Sequence, residues 1–318
     1  MRLVTVRQDG GATTAGRVEG ADIVLLPFAD VGALLGSGAD WGERAHADGP
    51  RISLAGARLA CPVANPAKVV CVGKNYLQHI REGDRAAEPP VFPELFAKYR
   101  DALTGPCDDI AFPPGPGCVD FTAANARAAK YPAAAQPPGT DCVDWEAELV
   151  VVIGRAVRYA DEQDAAAAIA GFTVGNDVSV RDWQLRTSQW LQGKTWEGMS
   201  PVGPALVTPD EVGGVRPDLA IRCLVDGSVR QDARTAEMIF DPVDLVAYVS
   251  RFGTLRPGDL IFTGTPEGVG IVRRPPVYLR PGQVLTTMIE GIGELANRFV
   301  AEAVAGSAPS EEAGRGAA

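Results

Sequence analysis

Apolar residues fall in short blocks along most of this 318-residue chain, and the spacing within the blocks favours strands. MRLVTV, ADIVLLP and ARLACPV are brief apolar runs separated by Gly and Asp, which predicts a small β-rich unit over residues 1–64. Pro62 and Pro66 punctuate a joint before AKVVCVG, where a larger unit, residues 67–302, begins. AELVVVIG (147–154) is an unbroken apolar run of strand length, and FTVGNDVSV reads as another strand. RPGD (256–259) and RPGQ (280–283) are turns that feed the strands DLIFTG and VLTTMIEG. Helices are few. DEQDAAAAIAG (161–171) has Asp161 to cap it and Gly171 to end it. DPVDLVAYVSRFG (241–253) has Asp241 at the N-cap, Pro242 at the first helical position and Gly253 at the close. The pattern predicts an α+β, mostly β fold with a few peripheral helices, not a doubly wound sheet.

Two segments break the pattern. Residues 115–142 are rich in Ala, Pro and Gly with no sustained period, and read as a surface excursion. Residues 303–318 read as a disordered tail. The net charge of -10 argues against nucleic acid and anionic membrane, because both need a basic face. No apolar run is long enough to span a bilayer, and no leader is evident, so a cytoplasmic protein is expected. The six cysteines form no CxxC pair, which argues against zinc. Each reads as a small core hydrophobe in a reduced protein; Cys118–Cys142 is the one bridge considered. His46, among small and charged residues, reads as solvated.

The strongest chemical signal is VDWEAELVVVIG. A strand turns alternate side chains to one face, so Glu146 and Glu148 project together, with Ala147 on the other side. Such a pair is either a solvated edge or the wall of a cation site. The apolar run that follows draws the strand into the core and favours the cation. Asp177, at the end of a strand-like run, supplies a third carboxylate. Three carboxylates with no nearby histidine suit Mg²⁺ or Mn²⁺, with Ca²⁺ the third candidate, better than zinc or copper. Neither a GxGxxG turn nor a P-loop is present.

Seven pieces in order resemble the C-terminal catalytic domain of the fumarylacetoacetate hydrolase family: VGKNYLQHIRE, FAKYRDALTGP, VDWEAELVVVIGR, GFTVGNDVSVRDWQ, QGKTWEGMSPVGP, FDPVDLVAYVS and PGDLIFTGTPEGVG. The resemblance spans about residues 67–300 and implies a mixed β-sheet roll or sandwich, usually a homodimer. It implies that Glu146, Glu148 and Asp177 are metal ligands and that Lys194 is the lysine beside the metal. It further implies that Arg181, Gln184 and Thr265 contact substrate, and that Lys98 and Tyr99 line the pocket. His79 and Glu82 match an H-x-x-E pair on a lid. If that lid is helical, the i, i+3 spacing puts both side chains on one face, where Glu82 can orient a histidine base.

The activity implied is C–C hydrolysis of a small 2,4-dioxo acid such as an acylpyruvate or fumarylpyruvate, through a metal-stabilised enolate and water activated by His79–Glu82. The alternative is decarboxylation, tautomerisation or isomerisation of a 2-oxo acid such as oxaloacetate or a catechol-pathway dienoate, since these share the enolate step. A non-catalytic scaffold is a third class. It is disfavoured because none of the three metal carboxylates is missing.

Overall fold

The computed structural model describes residues 1–112 and 140–302. Most of the expected surface excursion and the whole expected tail lie outside the described residues, as does Cys118.

A twelve-stranded mixed sheet forms the frame. Its central path runs, edge to edge, through Arg51–Ser53, Asp22–Leu25, Thr13–Glu19, Arg2–Arg7, Ser200–Val207, Ile169–Asn176, Ala147–Ile153, Leu260–Phe262, Val69–Gly73 and Glu94–Lys98. Leu260–Phe262 pairs in parallel with Val69–Gly73, while its other neighbour, Ala147–Ile153, runs antiparallel to it. A five-stranded sheet, from Ser228–Arg234 through Ala220–Val225, Val284–Ile289 and Gly293–Ala301 to Ile110–Phe112, packs against the frame. The mostly β architecture expected from the strand-length runs is therefore what the chain adopts.

The run AELVVVI shows why the pattern is continuous rather than alternating. Leu149, Val151 and Ile153 join one buried cluster with Ile221, Cys223, Leu285, Leu295 and Phe299 of the second sheet. Val150 and Val152 face the opposite way, into a second cluster with Leu260, Phe262, Leu206 and Leu34. Both faces of this strand are covered, so both parities must be apolar. Its polar ends are thereby held in a rigid, dry setting.

The N-terminal strands extend this same sheet: Arg2 and Leu3 register with Val207 and Leu206. The boundary expected near residue 64 thus lies between strands of one hydrogen-bonded sheet.

The helix expected at 161–171 is shorter than its pattern. Asp161 does cap it, accepting from the Asp164 amide, but the helix is Glu162–Ala168 and a strand begins at Ile169. Gly171 is inside that strand, beside a bulge, and not at a helix end. A Cβ there would meet the Val207 carbonyl oxygen at 2.2 Å, so glycine is needed for the approach of two strands. The second helix, Pro242–Phe252, is capped as expected, with the Asp241 side chain accepting from the Val243 and Asp244 amides.

Cys61, Cys71 and Cys223 are buried free thiols, whereas Cys107 is exposed and Cys142 is disulfide-bonded, so the expectation of six reduced core cysteines does not hold. His46 is exposed, as expected. Among the described residues, no helix is long and apolar enough to cross a membrane.

Candidate active site

Register assembles the acidic cluster. Ala147 pairs with Asn176, so the antiparallel strands Ala147–Ile153 and Ile169–Asn176 end side by side. Glu146 precedes the first strand and Asp177 follows the second, and the Asp177 amide donates to the Glu146 carbonyl at 2.8 Å. Glu148 lies one pleat further in. One carboxylate oxygen from each of Glu146, Glu148 and Asp177 falls within 4.8 Å of the others, and all three residues are buried.

Cations surround the cluster unevenly. The Lys194 ammonium donates to Glu146 Oε2 at 2.7 Å and to Asp177 Oδ2 at 2.8 Å. Lys98 Nζ reaches Asp177 Oδ1 at 2.5 Å and also donates to the Lys194 carbonyl. Arg181 Nη1 pairs with Glu146 Oε1 at 2.6 Å. Glu148 has no ion-pair partner among the described residues; its Oε2 accepts from the Gly264 amide at 2.8 Å.

The ionisation pattern follows from this unevenness. Burial alone would raise the Glu146 carboxyl, but Lys194 and Arg181 outweigh it and hold the group well below the usual carboxylate range. Burial alone would lower the Lys194 ammonium; the Asp177 and Glu146 carboxylates outweigh it and raise the group. Glu148 is pushed well above its ordinary value of 4.5, by burial first and then by the neighbouring charges of Asp177 and Glu146.

Three clustered oxygen donors, one without a cation of its own, form a fitting site for a hard divalent ion. The ion would supply the positive charge that Glu148 lacks.

Arg181 is held as firmly as the carboxylates. Its Nε donates to Asp144 Oδ2 at 2.8 Å, and Nη1 also donates to Gln184 Oε1 at 2.9 Å. Its Nη2 is buried without a hydrogen-bond partner. Asp144 also accepts from the Gly270 amide at 2.7 Å and the Ile271 amide at 2.9 Å, so one buried carboxylate ties Arg181 to the 268–271 loop.

A cavity of about 190 Å³ opens beside the cluster. Glu146, Lys194, Arg181, Gln184, Thr265 and His79 all line it, with Phe96 and Trp190 as an aromatic wall. Those two rings meet edge to face at 5.5 Å. The segment expected to act as a lid is a helix, Leu77–Gly83, and the i, i+3 geometry is realised: His79 Nδ1 lies 3.1 Å from Glu82 Oε2. Glu82 Oε1 accepts from the Gly268 amide at 2.8 Å, which fastens the helix over the cavity.

Two residues expected at the pocket wall are placed elsewhere. Lys98 is fully buried behind Asp177, and its ammonium is spent on that carboxylate. Tyr99 is 59% exposed and does not border the cavity. Strand alternation explains the split: neighbours on Glu94–Lys98 and just beyond cannot both face inward.

Asp144 and Gln231 escaped the sequence reading. Asp144 carried a usable signal, since it shares strand parity with Glu146 and Glu148 in VDWEAEL. Gln231 carried none, being one polar residue in SVRQDAR.

Lys194 is positioned by a close approach. It ends the short helix Leu191–Lys194, and Gly193 beside it packs on the helix Arg181–Gln184. A Cβ on Gly193 would lie 2.4 Å from the Gln184 amide nitrogen. Gly193→Ala is therefore expected to push Lys194 away from Arg181 and Gln184, cutting turnover by about 10²-fold, as misplacement of about an ångström does. Steady-state rates alongside an unfolding curve test this; unchanged turnover would contradict it.

The profile for "Fumarylacetoacetate (FAA) hydrolase C-terminal" matches residues 68–300. The mitochondrial oxaloacetate tautomerase FAHD2A of Bos taurus is 43% identical over 241 residues, 75% of this chain and 68% of the relative. The solved fumarylacetoacetate hydrolase of Exiguobacterium antarcticum superposes with a TM-score of 0.76 at 32% identity, covering 95% of this chain and 100% of that one. The solved 5-carboxymethyl-2-hydroxymuconate delta-isomerase of Mycobacterium smegmatis gives 0.70 at 32% identity, covering 96% and 100%. The profile match, the relatives and the carboxylate cluster together show that this chain belongs to the fumarylacetoacetate hydrolase family.

Proposed function

We propose that this protein is a metal-dependent enzyme that interconverts the enol and keto forms of a small 2-oxo dicarboxylate of the oxaloacetate type. The observation that carries the reading is the small cavity in which Arg181 and the His79 imidazole sit beside the carboxylate cluster. At about 190 Å³ it is smaller than the roughly 300–1,000 Å³ of sites for drug-sized ligands, and suits a molecule of a few carbons. The tautomerase name of the bovine relative supports the same reading.

Each side chain has a task. Arg181 faces a carboxylate of the substrate, and a guanidinium fixed by Asp144 and Gln184 loses little freedom in doing so. Lys194 offsets negative charge that develops on the 2-oxo oxygen. A divalent ion held by Glu146, Glu148 and Asp177 would supply Lewis-acid polarisation of that oxygen. His79 moves the proton. With Nδ1 on Glu82, its Nε2 is the nitrogen left to exchange a proton with substrate. The enol oxygen loses a proton and the adjacent carbon gains one, so no water is consumed. Phe96, Trp190 and the fastened lid keep bulk water away.

C–C hydrolysis of a 2,4-dioxo acid is the second reading, favoured by the same dyad, since a histidine oriented by glutamate also activates water. Mixing oxaloacetate enol with the protein and Mg²⁺ or Mn²⁺, and following enol absorbance, separates the two. Accelerated decay without pyruvate or CO₂ release is the expected result. Pyruvate release from an acylpyruvate with no effect on the enol would overturn it.

Metal binding should be coupled to protons. With Glu148 raised well above 4.5, the metal-free site holds a proton that the ion must displace. Affinity for Mn²⁺ is therefore expected to rise with pH up to the raised value of Glu148. Calorimetry in buffers of different ionisation enthalpy should show proton release on metal binding. No buffer dependence would contradict the assignment of Glu148.

A further inference from the structure

We infer that Gln231 is a positioning residue that sets the direction of the Thr265 hydroxyl, so that this hydroxyl donates its hydrogen to a substrate carboxylate. The inference deepens the tautomerase reading and rests on it for the identity of the substrate. Gln231 stands on the strand Ser228–Arg234 of the smaller sheet, is 1% exposed, and does not touch the cavity.

Its amide has one workable orientation. Oε1 accepts from the Ala147 amide at 2.9 Å. Nε2 then faces two acceptors, Thr265 Oγ1 at 2.8 Å and the Pro266 carbonyl at 2.9 Å. Flipping the amide would set an oxygen against a carbonyl and two N–H groups against each other. Since Thr265 Oγ1 accepts from Gln231, its own hydrogen is not spent there. Thr265 borders the cavity, where a carboxylate is the ligand that hydrogen would meet. The other end of the Gln231 amide holds Ala147, the residue between Glu146 and Glu148. One buried side chain thus registers the carboxylate-binding hydroxyl against the metal-binding strand.

Oxalate, whose paired carboxylates present the oxygen pattern of a 2-oxo acid, is the probe, titrated by calorimetry into protein loaded with Mg²⁺. Gln231→Met keeps the length and removes the donor. It is expected to weaken oxalate about tenfold, as does Thr265→Val, because a hydrogen bond to a charged group is lost in each. The double variant should be no weaker than either single, because both act through one hydroxyl. Thr265→Ser should bind like the wild type. Independent, multiplying losses, or a Gln231→Met constant within twofold of wild type, would overturn the inference. If Gln231→Met fails to fold, Gln231→Glu, which still accepts from Ala147 but also from the hydroxyl, should weaken oxalate at least as much; unchanged binding would overturn the inference. A wild type that binds oxalate but leaves oxaloacetate enol untouched would remove the substrate assignment while leaving the coupling intact.

Discussion

Glu148→Gln should abolish divalent-ion binding and lower turnover by about 10³-fold, the several kcal/mol that a Lewis acid supplies. Among the described residues, Glu148 is the member of the cluster with no cation of its own. An amide of the same shape can still accept from Gly264, so the strand is not disturbed. Its effect on stability has the opposite sign and is what makes the result diagnostic. In the metal-free wild type, the folded Glu148 keeps its proton above the pH where the unfolded side chain releases it. A group whose folded pKa is raised in this way costs stability progressively as pH climbs from about 4.5 toward the raised value. Glutamine carries no such cost. Without metal, the variant should melt higher than wild type at neutral pH and alike below 4.5. With saturating Mg²⁺, the wild type gains stability and the variant does not. Thermal melts at several pH values, with and without Mg²⁺, decide it. A variant that still binds Mg²⁺ would remove Glu148 from the ligand set.

His79→Ala is expected to reduce turnover by about 10²–10⁴-fold, the range of a lost acid–base group, while Mg²⁺ affinity stays at the wild-type value. The imidazole borders the cavity, but the three clustered carboxylates lie on other elements. Glu82→Gln separates orientation from basicity. Glutamine can still accept from Gly268 and hold the lid, but no longer places a negative charge beside His79 Nδ1. It should therefore lose less than His79→Ala. Metal titrations and steady-state rates of both variants give the answer. A His79→Ala variant with normal turnover would mean the proton moves elsewhere.

The chemistry of the candidate site was legible because it sits in local runs. DWEAEL places Glu146 and Glu148 on one face by strand parity, and the i, i+3 spacing of His79 and Glu82 needs only one helical turn. Helix ends were legible where a single residue decides them, as at Asp161 and Asp241, whose side chains cap the amides that follow. Gly171 misled because a glycine that ends a helix and one that admits a neighbouring strand look alike in one dimension.

The chain by itself thus determined the strand-rich class and the shared face of Glu146 and Glu148, because periodicity is written in consecutive residues, while Asp177 as a ligand and the pairing of His79 with Glu82 were implied by the family resemblance. Tertiary structure alone decided the rest. It turned Lys98 inward to Asp177 and left Tyr99 outside, brought Lys194 across to Glu146, and set Gln231 behind Thr265. These contacts join residues 34–79 positions apart on different elements. Their partners are chosen by sheet register and by the cost of leaving a buried charge or amide unpaired, neither of which has a local signature.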